Sequence, residues 1–153
     1  MGAAAFIFYT GRACSDNNKF RILGVGLKIS KEAKQWCRYD LSADYAAAHN
    51  VNISTMQESK RNGSDNLLKI GSLLGLKDDT EIEANYPAFY YAKNYGTAAG
   101  IFSDGWYLPS KAELQKIYEK KDDLKAVCKL CGLDRDFSKD AFWSASLSSS
   151  YYD

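Results

Sequence analysis

The stretch Gly105-Trp106-Tyr107-Leu108-Pro109-Ser110-Lys111-Ala112-Glu113-Leu114 constrains this chain more than any other ten residues. Ser110 and Glu113 have the S-x-x-E spacing of a capping box. In that device the serine hydroxyl accepts from the Glu113 N–H, and the Glu113 carboxylate reaches back to the Ser110 N–H. Pro109 stands where a hydrophobic staple toward Leu114 would sit, and it holds Leu108 extended. The spacing predicts a strand-like approach over 106–108 that turns into a helix at Lys111, with Trp106 and Leu108 facing inward. Glu113 thereby has a structural task and is not read as an acid or base. The corner has no chemistry of its own.

Around this corner the pattern predicts an α+β domain, an antiparallel sheet with flanking helices. Residues 4–10 read as a strand and 15–18 as a turn. Residues 20–30 read as a second strand, with Leu23, Val25, Leu27 and Ile29 on one face and Arg21, Gly24, Gly26 and Lys28 mostly on the other. Gly24 and Gly26 leave room for a backbone or a ring to approach. Residues 34–38 read as a third short strand with Trp36 buried, completing a meander. Residues 39–61 show no period and read as an irregular excursion.

Helices follow. Ser64 is placed to cap one that carries Leu67, Ile70, Gly71 and Leu74 on a single face and stops at Gly75. Pro87 opens the next, with Ala88, Tyr91, Ala92 and Tyr95 together and Gly96 as its end. Residues 96–105 read as loop. The capped helix spans 111–121 with Leu114, Ile117 and Tyr118 inward. Asp122 or Asp123 caps a last helix with Leu124, Val127, Cys128 and Cys131 inward and Gly132 closing it. Residues 141–146 read as a strand around Phe142 and Trp143, residues 147–150 as a serine-rich turn, and Tyr151 as the start of another strand.

A length of 153 residues suits one domain with a real core. The net charge is +1, and no basic run interleaves with aromatics, which argues against a nucleic-acid partner. No apolar run is long enough to span a bilayer. Residues 3–8 are apolar but lack a basic flank, so they are no complete signal peptide. The 11 tyrosines read mostly as the edge of a small core.

The candidate chemistry is sparse. Cys128 and Cys131 form a C-x-x-C at a helix end, the wrong pole to lower a thiol pKa. A zinc site there would need Cys14, Cys37 or His49 as further ligands. Buried structural thiols are the preferred reading, with a redox or metal role for Cys128 and Cys131 as the alternative, and a disulfide through Cys14 or Cys37 open for an exported protein. His49, the single histidine, has only Asp44 nearby in sequence. The acidic run Asp78, Asp79, Glu81, Glu83 lacks the spacing of a calcium loop and reads as a solvated connector. No catalytic residue, metal ligand or cofactor is expected.

Three separated pieces carry a resemblance. The decapeptide above resembles a G-W-x-L-P-[ST]-x-x-E-L signature, and Phe142-Trp143-Ser144-Ala145-Ser146 resembles the [FY]-W-S-S-[ST] strand that follows it. Phe6-Ile7-Phe8-Tyr9, Leu23-Gly24-Val25-Gly26-Leu27 and Trp36-Cys37 are similar to its opening hairpin. The family is the Lcl C-terminal-like domain of bacterial collagen-like adhesins and surface lipoproteins. The resemblance spans nearly all of 1–153. It implies a fold like that of the C-type lectins and the formylglycine-generating enzymes. Family members continue past the W-S-S strand, so the resemblance implies a domain lacking its last strands. Neither the E-P-N or Q-P-D and W-N-D calcium motifs of lectins nor the late cysteine pair of the formylglycine-generating enzymes is present.

The resemblance and the composition together give the expected function. It is a non-enzymatic ligand-binding or adhesion module at the cell surface or secreted, with a glycan or host protein as partner. Ser148, Ser150, Tyr151 and Tyr152 offer adaptable hydroxyls and rigid rings for binding. Trp106, Leu108, Pro109, Ser110, Glu113, Leu114 and Trp143 are structural. A thiol enzyme using Cys128 and Cys131 and a ligand-free spacer are the competing readings.

Overall fold

The computed structural model describes residues 4–36, 61–73 and 79–146. The architecture is α+β: one antiparallel hairpin and a set of helices. Strand β1 spans Ala5–Gly11 and β2 spans Arg21–Gly26. Tyr9 pairs with Leu23 and Ile7 with Gly24, so Phe8 is the extra residue of a β-bulge. The inner face carries Phe6, Phe8, Leu23 and Val25, while Ile7 and Ile22 are exposed. Arg21 is in phase with Leu23, and its side chain is only 18% exposed. It therefore lies on the inner face, which corrects its assignment to the outer one; a period of two places 21, 23 and 25 together.

Among the described residues the hairpin has no third strand. Residues 34–36 and 141–146 are irregular, so both of those strand expectations fail as far as they are described. Indole–carbonyl bonds join the two segments in place of a ladder. The Trp36 Nε1–H donates to the Ser144 carbonyl at 2.7 Å, and the Trp143 Nε1–H donates to the Lys34 carbonyl at 2.6 Å.

Helix α1 (Gly63–Leu73) begins one residue before Ser64. Asn62, not Ser64, meets its first turn: Asn62 Oδ1 accepts from the Ser64 N–H at 3.2 Å. Helix α2 (Asp79–Asn85) occupies the acidic run expected to be a connector. Its N-terminal carboxylates Asp79 and Glu81 suit the positive end of the helix dipole, and Ile82 is buried. Helix α3 (Pro87–Lys93) starts on its proline as expected but stops at Asn94. A one-turn helix α4 (Tyr95–Ala99) follows, closed by Gly100 in the left-handed region, so Gly96 lies inside a helix and terminates nothing.

Helix α5 (Lys111–Glu119) carries the full capping box. Leu114 and Ile117 pack inward, whereas Tyr118 is 58% exposed and stacks its ring under Lys121. Helix α6 (Lys121–Leu130) has no side-chain cap, and Asp122 and Asp123 lie within its first turn. At its end the Leu133 N–H donates to the Cys128 carbonyl and the Gly132 N–H to the Lys129 carbonyl, with Gly132 at φ 71°. This is a Schellman motif, and it needs the conformation that glycine adopts without strain.

One core joins Phe8, Leu23 and Leu27 of the hairpin and its continuation to Ile117, Leu124, Cys128 and Phe137. A second cluster is aromatic. Trp36, Tyr86 and Phe89 meet edge to face, with centroids 5.2 to 6.1 Å apart.

Candidate functional site

The corner closes around a buried carboxylate. Glu113 is 0% exposed. Its Oε2 accepts from the Ser110 N–H at 2.8 Å and from the Gly63 N–H at 3.1 Å. Its Oε1 accepts from Arg21 Nη1 at 3.1 Å and from the Tyr107 hydroxyl at 3.0 Å. Four donors satisfy one carboxylate, which is the condition for a buried charge to persist. Arg21 also donates to the Cys14 carbonyl, to Asn62 Oδ1 and to the Tyr107 oxygen. Burial first, and then the Glu113 charge, push the Tyr107 hydroxyl far above the usual tyrosine range. The network ties β2, the start of α1, the 105–110 corner and α5 at one point. Because every acceptor is filled from within the fold, it is a structural centre.

The surface offered to a ligand lies beside it. A groove of about 400 Å³ opens between the 25–34 segment, helices α3 and α4, the corner and the 137–143 segment. Its walls are mostly apolar, and Tyr91, Tyr95, Trp106, Phe142 and Trp143 contribute rings. Gly26 makes this wall possible. A Cβ there would stand 2.3 Å from the Tyr95 ring, and the Tyr95 hydroxyl accepts from the Lys28 N–H at 2.9 Å. The ring approach expected at this glycine is therefore present. Trp106 is partly buried, not sealed inside: it stacks on Phe102 at 5.0 Å, and its Nε1–H donates to the Phe102 carbonyl at 2.8 Å. Burial raises the Tyr91 and Tyr95 hydroxyls above their ordinary range.

The expected binding residues Ser148, Ser150, Tyr151 and Tyr152 lie outside the described residues, as do Cys37, Asp44, His49, Leu74, Gly75 and Asp78. Ser110 and Glu113 are fully buried. Leu108 and Pro109 line the groove, and Leu114 packs on the core. The Pro109 carbonyl accepts from the Ala145 N–H at 2.7 Å. Trp143 sits at the groove's edge, 54% exposed, and is a surface residue as well as a structural one. Arg21, Gly63 and Tyr107 are partners of Glu113 that the capping-box spacing does not indicate. The strand period was a usable signal for Arg21. Nothing in sequence links Gly63 to a carboxylate 50 residues away.

Cys14, Cys128 and Cys131 are free thiols. Cys14 and Cys128 are buried, but Cys131 is exposed, which corrects its placement on the inner face of α6. A residue three positions after Cys128 has already passed the end of the helix, where the chain turns out through Gly132. Burial raises the thiols of Cys14 and Cys128, which disfavours the reactive thiolate. Among the described residues no three His, Cys, Asp or Glu side chains gather at one point. No described helix is long and apolar enough to cross a membrane.

Compared with family models, with curated proteins and with solved structures, the chain matches none.

Proposed function

We propose that this chain is a non-enzymatic ligand-binding or adhesion module, a lectin-like domain of the Lcl C-terminal kind, acting at a bacterial surface or after secretion. The observation that supports the reading is the open groove of about 400 Å³ walled by aromatic faces. Pockets that hold small ligands are concave and mostly apolar, with a few placed polar groups, and this groove has that composition. The family placement rests on the sequence resemblance of the corner, the W-S-A-S segment and the hairpin. The partner in this reading is a glycan or a host protein.

The test is a screen of the full chain against immobilised glycans and host extracellular proteins, run beside Trp143→Ala. Binding that weakens at least several-fold in the variant supports the module. A blank screen, or binding indifferent to Trp143→Ala, overturns it and leaves the ligand-free spacer.

A further inference from the structure

The groove's chemistry narrows the ligand, an inference that rests on reading the groove as a binding site. All three tryptophan N–H groups of the chain are spent on backbone carbonyls: Trp36 on Ser144, Trp106 on Phe102 and Trp143 on Lys34. The two indoles that line the groove therefore offer π surface and no donor. A planar apolar body can stack on such a face without needing a hydrogen bond from it.

The mouth is charged. Lys28, Lys31 and Lys34, three residues apart in sequence, line the groove together with the carboxylates of Glu32 and Asp140. Lys34 is paired with Glu32 at 3.1 Å, and Lys28 donates to the Ala99 carbonyl at 3.0 Å. With Glu32 neutralised in that pair, Lys28 and Lys31 outweigh Asp140, so this set of charges is net positive. Lys31 is exposed.

We propose that the groove takes a small planar aromatic anion, its ring stacked against Tyr91 and Trp143 and its carboxylate held by the lysines of the 28–34 segment near Lys31. The stacking is the larger part of the affinity, and the exposed ammonium supplies the choice of charge.

The test uses three ligands with one ring system: 2-naphthoate, 2-naphthamide and 2-naphthylmethylammonium, titrated into the full chain by calorimetry. Naphthoate is expected to bind about threefold to fivefold tighter than the amide, with the ammonium weakest. Lys31→Gln should bring naphthoate within about twofold of the amide, and added salt should do the same. Trp143→Ala should weaken the carboxylate and the amide alike. If the three ligands bind equally, or the ammonium binds best, the charge assignment is wrong while the groove remains a binding site. If none binds but the glycan and protein screen is positive through Trp143, the ligand class is wrong and the module stands. If none binds and the screen is blank, both readings fail. Naphthoate binding unaltered by both Trp143→Ala and Tyr91→Ala places the ligand elsewhere and also overturns the proposal.

Discussion

Arg21 and Glu113 are 92 residues apart in sequence, yet the guanidinium lies 3.1 Å from a carboxylate that water does not reach. The start of α1, which neither residue's neighbours predict, and the 105–110 corner close on the same pair. Removing one partner leaves a buried charge without its counter-ion. Arg21→Met should therefore cost about 3–5 kcal/mol, read from urea unfolding. Glu113→Ala should cost a similar amount, and the double variant clearly less than the sum of the two. A loss below about 1 kcal/mol for Arg21→Met would show the pair to be incidental.

Gly63 is the backbone donor to that carboxylate, and it has no room for a side chain. A Cβ there would meet the Leu108 carbonyl oxygen at 2.2 Å and the Ser110 nitrogen at 2.8 Å, both backbone atoms that cannot swing aside. Gly63→Ala is expected to destabilise by about 1–3 kcal/mol despite alanine's better helix propensity. A neutral or stabilising outcome by thermal melt would refute the close approach.

Stability should decline in alkali. Tyr91, Tyr95 and Tyr107, with the thiols of Cys14 and Cys128, all have folded-state pKa values raised by burial. Above the unfolded values, about 8.5 for thiols and 10 for phenols, the unfolded chain loses protons that the native state keeps. The native state then binds more protons, so the unfolding free energy falls as pH rises, and each group's contribution is intact below its unfolded pKa. Tyr107→Phe should make the decline above pH 10 shallower, by at most about 1.4 kcal/mol per pH unit. An unchanged slope in urea unfolding would dismiss Tyr107 as a contributor.

The three described thiols should separate by access. In a Cys37→Ser background, Cys131 should react promptly with a thiol reagent in the native state, whereas Cys14 and Cys128 should wait for unfolding. A second fast thiol, traced to Cys128 and still reactive well below pH 8, would revive the thiol-enzyme reading.

The two indole bonds that hold 34–36 against 143–146 stand where a strand ladder was expected. Trp36→Phe keeps an aromatic ring against Tyr86 and Phe89 and deletes one donor. It should cost about 1 kcal/mol for the bond, plus whatever the smaller ring loses in packing. Trp143→Phe should cost less in packing because its ring is half exposed. If neither substitution moves the melting temperature, the clasp holds nothing.

Local rules carried well where partners are close in sequence. The capping box at Ser110 and Glu113, the proline start of α3, the hairpin's inner residues and the glycine stop after Cys128 all depend on groups within about six residues. They failed where the outcome turned on a distant neighbour. Residues 141–146 have strand composition but end as a strap, because Trp36 and the Pro109 carbonyl satisfy its backbone. The acidic run became a helix because Ile82 found a buried place and Asp79 a partner in Lys93.

The sequence by itself determined the corner, since a serine, a glutamate and a proline at fixed spacing satisfy one another with no help from the rest of the chain. Only the tertiary structure decided what the glutamate's second oxygen would meet and which rings would wall the groove. A carboxylate bond to Arg21 and a ring seated on Gly26 are each formed by residues with no spacing rule between them. Their meeting is fixed by how the hairpin packs on the helices.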